Sequence, residues 1–83
     1  MYKVLGTTSL LDITGSDFNK ATAVSAEVSV AGVIEVYESD NSTLVGSISL
    51  TTGMHTILKD PAQIIKKASS GGAIVNMTKI AHL

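Results

Sequence analysis

Polar and apolar residues alternate with a period of two along most of the chain, the spacing of a strand that buries one face. In "TAVSAEVSVAG", Val24, Ala26, Val28 and Val30 share one face, and Ser25, Glu27, Ser29 and Ala31 the other. "GVIEVYES" keeps the period, with Ile34 and Val36 opposite Val33, Glu35 and Tyr37. Gly32, between the two runs, marks a bend or bulge. The turn formers of "ESDNST" separate this run from "TLVGSISLT", in which Leu44, Ile48 and Leu50 face away from Val45, Ser47 and Ser49. Two alternating runs joined by a short polar turn predict a hairpin, roughly 33–38 against 43–51. After the turn "TTG", "MHTILK" predicts a further strand, with His55, Ile57 and Lys59 opposite Met54, Thr56 and Leu58. The closing "GGAIVNMTKIAHL" places Ile74, Asn76, Thr78, Ile80 and His82 on one face and Val75, Met77, Lys79 and Ala81 on the other. Apolar residues on both faces suit a central or interface strand.

The remaining segments are less regular. "YKVL" predicts a short strand, and "TTSLLDITGSDFNKAT" an irregular stretch with a turn at Gly15-Ser16-Asp17. "DPAQIIKKAS" predicts the one helical turn: Asp60 as N-cap, Pro61 at the first helical position, Ile64 and Ile65 docking it, and Lys66 and Lys67 at its C-terminal end. The expected architecture is a single all-β domain over residues 1–83. It is a small antiparallel β-sandwich or barrel of about five to six strands, with a short helix or helical turn near 61–69 and a partly irregular segment over 1–21.

Composition adds an expectation of association. Hydrophobic residues make up 45% and charged residues 16%, against about 25% charged in an average protein. An 83-residue chain buries only about 60–65% of its unfolded surface. It has no cysteine, which leaves oligomerisation, among the usual staples of small domains, as the expected one. A homo- or hetero-oligomer is therefore predicted.

Charge and aromatic content argue against nucleic acid as a partner. The net charge is −1, the six basic residues are all lysine, and there are one Phe, two Tyr and no Trp. Bidentate phosphate and base readout favours arginine, and base stacking needs aromatic rings. No apolar run approaches the roughly 18 residues of a membrane span, and the N-terminal residues lack the apolar core of a signal peptide. The chain is expected to act in a cytoplasm or in a particle assembled there.

Candidate chemistry is sparse. His55 alternates with Ile57 on a strand face and His82 is penultimate, so both are read as packed or solvated rather than catalytic. No Gly-x-Ser-x-Gly elbow, phosphate-cradling loop or dinucleotide fingerprint is present. Asp12 with Asp17, and Glu38 with Asp40, lack the oxygen-rich spacing that a hard cation requires and are read as turn residues. No catalytic, metal or cofactor-binding residue is assigned, no cofactor is implied, and the chain is read as non-enzymatic.

The hairpin "VIEVYESDNSTLVGSISLT", the strand-to-turn "TILKDPAQII" and the closing "IVNMTKIAHL", over roughly residues 33–83, resemble small virion structural proteins of tailed bacteriophages, particularly those infecting marine cyanobacteria. The resemblance implies a β-rich subunit that decorates or cements a capsid, or sits in the neck, tail or fibre, with other virion proteins as partners. The major capsid protein is one candidate among these. The resemblance carries no catalytic residue. The residues expected to meet a partner are Lys59, Lys66 and Lys67, as a basic patch against an acidic surface, and Ile74, Val75, Met77, Ile80 and Leu83 on the terminal strand, in the fold or at a subunit contact. The alternative is a small ligand- or glycan-binding β-module, for which Tyr2, Phe18 and Tyr37 are the available aromatics.

Overall fold

The computed structural model describes residues 3–68 and 72–82, with side chains through Ile80. The strands are β1 (Ser9–Leu10), β2 (Ala21–Val30), β3 (Gly32–Tyr37), β4 (Leu44–Leu50), β5 (Gly53–Leu58), β6 (Ile64–Lys67) and β7 (Ile74–His82). The period-two runs become β2 to β5 and β7, β1 and β6 arise outside them, and the strand expected at "YKVL" does not form over Lys3–Leu5. They form two antiparallel sheets packed as a sandwich, one ordered β1-β7-β2-β5 and the other β4-β3-β6. The sandwich does not close into a barrel, and no helix occurs among the described residues.

The inner faces follow the alternation. Across the larger sheet, Ile57, Val24 and Lys79 lie in one row, His55, Ala26 and Met77 in the next, and Gly53, Val28 and Val75 in the third. Ile34, Leu50 and Ile65 of the smaller sheet close over them, with Phe18 and Val36 packed at the margin. β7 lies inside its sheet, between β1 and β2, which accounts for its apolar residues on both faces. The predicted hairpin is β3–β4, with one change of register. A bulge at Val45 sets Leu44 opposite Tyr37, which moves Leu44 off the Ile48/Leu50 face onto the outer one.

The expected helical turn near 61–69 does not form over the described residues 61–68; Ser69 lies outside them. Asp60 to Gln63 form a tight turn instead, in which the Gln63 N–H donates to the Asp60 carbonyl (3.0 Å) and the Asp60 N–H donates to the Gln63 side chain (2.9 Å). The capping residues thus satisfy the same main-chain groups that they would at a helix start. The chain then extends because β3 offers a free edge. Ile64 to Lys67 pair with Tyr37 to Ile34, and the β-branched Ile64 and Ile65 suit a pleated surface better than a helix.

The segment expected to be irregular seals one side of the sandwich. Residues 5–11 run beside β7, where the Leu5 and Leu11 N–H groups donate to the carbonyls of Lys79 and Val75. The chain then crosses to the other sheet. The Asp12 carbonyl accepts from the Lys67 N–H, and Ser16 bridges Ile65. Leu11, 2% exposed, fills the gap between the sheets. The opposite side has no such strap among the described residues. There β4 and β5, joined through only Thr51 and Thr52, each end a sheet.

Candidate interaction surface

These two end strands carry much of the exposed apolar surface among the described residues: Leu44, Val45 and Ile48 on β4, and Met54 and Leu58 on β5, the last 77% exposed. Both faces of this side are therefore apolar at the rim. Between Leu44 and Leu58 the sequence has no Asp, Glu, Lys or Arg. His55, within this stretch, holds the Thr51 carbonyl at 2.8 Å through Nε2 and so clamps the β4–β5 turn.

The three lysines of "HTILKDPAQIIKK" do not form one patch. Lys59 is 7% exposed and its ammonium donates to the carbonyls of Asp60 (3.2 Å) and Pro61 (3.1 Å). Burial pulls its pKa below the usual lysine value, partly offset by the nearby Asp17 carboxylate. Lys66 and Lys67 are neighbours on a strand and so point to opposite faces. Lys66 lies on the outer face opposite Glu35, with its ammonium 3.9 Å from the centre of the Tyr37 ring. The Tyr37 hydroxyl donates to Glu35 (3.2 Å), and partial burial, with that carboxylate, holds its pKa above the ordinary tyrosine value. Lys67 lies at the rim of the inner face opposite Ile34.

On the terminal strand, Val75 and Met77 are in the core, Ile80 is half-buried and Ile74 is exposed. Leu83 lies outside the described residues. Of the expected contact residues, the surface thus presents Ile74 and, in part, Lys66, Lys67 and Ile80.

Lys79, 8% exposed, is a second buried lysine and serves as a loop tie. Its ammonium donates to the Asn19 carbonyl at 2.6 Å. That carbonyl belongs to a run of three left-handed residues, Phe18, Asn19 and Lys20 (φ 52°, 58° and 62°), a conformation that costs about 1–2 kcal/mol per residue. Ser16 Oγ and Asp17 Oδ1 also accept N–H bonds from this run, at Phe18 and Asn19. A shallow cleft of about 180 Å³ lies beside it, lined by Ser9, Ser16, Phe18, Asn19 and Lys79 among others. That volume is below the range of about 300–1,000 Å³ typical of small-molecule pockets.

The carboxylates Asp12 and Asp40 are turn residues. Asp12 accepts from the Thr14 N–H, the Thr14 hydroxyl and the Gly15 N–H, and Asp40 from the Ser42 and Thr43 N–H groups and the Thr43 hydroxyl. These bonds hold both pKa values below the ordinary aspartate value of 3.8. A carboxyl whose folded pKa is depressed contributes stability that is full above its unfolded pKa and is lost as pH falls through the folded one. Stability is therefore expected to be level from pH 7 to about 5 and to fall below about pH 4. Asp12→Ala/Asp40→Ala should be less stable at pH 7 and lose less on acidification. Urea melts at pH 7, 5 and 3 measure this; a parent-like acid slope in the double variant would refute it.

Compared with protein-family models, with curated proteins and with solved structures, the chain finds no match in any of the three.

Proposed function

We propose that the chain is a non-enzymatic structural subunit of a phage particle, seated on the capsid surface as a decorating or cementing protein. The observation that supports this most is the side formed by β4 and β5, where exposed apolar side chains lie on the strands that end the two sheets. Free, charge-poor edges are a liability in a solitary domain and serve as docking surface in an assembly. The low charged fraction of the whole chain points the same way. The particle itself is supported by the resemblance of residues 33–83 to small virion proteins of tailed phages.

The test is location. Peptide mass spectrometry of gradient-purified particles should find the chain at a stoichiometry tied to the capsid lattice, and a particle reconstruction should show a small β-sandwich on the capsid. Density at the neck, tail or fibre would overturn the capsid placement. Absence from purified particles would overturn the structural-subunit reading altogether.

A further inference from the structure

We infer that β4 is a homotypic docking edge: two copies of the chain pair through it, antiparallel and two-fold, with Ile48 opposite Ile48 of the second copy. The inference rests on the assembly reading above and names the first contact within it.

β4 ends its sheet, so among the described residues no strand pairs with the main-chain groups along its outer edge. An extended segment from another chain satisfies such groups by continuing the sheet. The usual protections of an edge are an inward or flanking charge, a proline, or a bulge. β4 has only the bulge at Val45, near one end, and no charge or proline from Leu44 to Leu50. Ser47 to Leu50 pair with β3 without a break in register, which leaves a regular edge for docking.

The absence of charge selects the occupant. A strongly charged partner strand would find no counter-charge here. A second copy, laid antiparallel on the first, meets no like charge. The alternation then requires the axis to pass through a residue, and centring it on the regular stretch from Gly46 to Leu50, beyond the bulge, puts it at Ile48. Ile48 and Leu50 lie on the inner face, opposite Ile34 and Gly32, while Ser47 and Ser49 lie on the outer face, opposite Glu35 and Val33. Residues directly opposite across a strand pair share a face. An axis at Ile48 pairs Gly46 with Leu50 and Ser47 with Ser49, so both sandwiches keep their cores on the same side of one continuous sheet. A shift of the axis by half a residue would set Ile48 opposite a serine and turn the second core to the wrong side. Ile48 is 46% exposed although it lies on the inner face, because the edge leaves it without a neighbour beyond. The arrangement is isologous and closes at two copies.

The experiment uses the full chain. Sedimentation velocity across a concentration series should show a reversible dimer. Ile48→Lys and Ile48→Glu should each raise the dimer dissociation constant by about tenfold or more, since each sets like charges face to face. An equimolar mixture of the two should restore dimers, and native mass spectrometry should find them to be of mixed mass. Thermal melts establish that each variant is folded. Should Ile48→Lys fail to fold, the exposed pair Ser47→Lys/Ser49→Lys repeats the repulsion on the outer face. A parent chain that stays monomeric to roughly 100 μM overturns the inference. So does a dimer that the variants leave intact, or one that they break and mixing does not restore. The functional reading fails separately, by absence from purified particles, whatever the state of the free chain.

Discussion

Leu11→Ala is expected to destabilise the chain by about 3 kcal/mol, within the range of about 2–5 kcal/mol for truncating a fully buried leucine. Leu11 is 2% exposed, belongs to the hydrophobic core, and is a large side chain that the N-terminal strap inserts between the sheets. Its N–H bond to the Val75 carbonyl, at 2.9 Å, holds the backbone in place after truncation, so the site is poorly able to collapse and a cavity remains. A domain of this size has a total stability of about 4–12 kcal/mol, and a loss of 3 kcal/mol lowers Tm by roughly 12–24 °C. The adjacent Leu10 is the control. It is 60% exposed, lying on the outer face opposite Asn76, and Leu10→Ala should change stability by less than about 0.5 kcal/mol. Equal losses at the two positions, measured by urea and thermal melts, would show that the strap does not seal the core as described.

The second large effect is steric. Gly32 opens β3 where the chain has just crossed from the larger sheet, and a Cβ there would lie 2.6 Å from the Cβ of Ala73 and 3.1 Å from its Cα. Ala73 is itself buried, so the smallest possible addition overfills the site. Gly32→Ala should cost about 1–3 kcal/mol. Moving the methyl group rather than adding one, in Gly32→Ala/Ala73→Gly, should recover most of that loss, because the worst contact is between the two Cβ atoms. A double-mutant cycle on thermal stability therefore predicts strong coupling of the two sites. Additive losses would mean that the approach of β3 to the start of β7 is looser than described.

These two sites show where reading the sequence succeeds and where it stops. The alternation in residues 24–28 and 33–37 is a local property of the chain, and it names the buried face of β2 and β3. A register shift after Val28 turns Val30, expected on that face, outward opposite Ile74. In 54–58 the inward face is that of His55 and Ile57, although Met54 and Leu58 make the other face the more apolar one. The turn chemistry of Asp40, Ser42 and Thr43 is equally local and marks the hairpin tip. Gly32 was legible as a special position, but its reason is a contact with a residue 41 positions later, which no local pattern contains. Leu11 carries no periodic signal at all, because the strap is too short to alternate. Its burial follows from lying between two sheet edges.

The candidate surface divides in the same way. Sequence shows that Leu44 to Leu58 is apolar and free of acidic, Lys and Arg side chains, but strand order decides that β4 and β5 are edges and therefore leave these residues uncovered. In "HTILKDPAQIIKK" the residue types permit either a helical turn or a strand. The Asp60–Gln63 turn satisfies the N–H groups of both residues without a helix, and the edge of β3, more than twenty residues away in the chain, tips the balance toward β6. Once β6 is a strand, Lys66 and Lys67 must point apart and Lys59 is drawn under the turn, so a cluster in sequence is no cluster in space.

The sequence by itself thus determined an all-β chain, its turns and most of its inward faces, since these depend on side-chain period and on hydrogen bonds between near neighbours. The tertiary structure alone decided which edges are sealed and which are open, which lysines are buried, and that Leu11 belongs to the core. Those outcomes depend on pairings between segments tens of residues apart, whose free energy is shared between two sequences and written in neither.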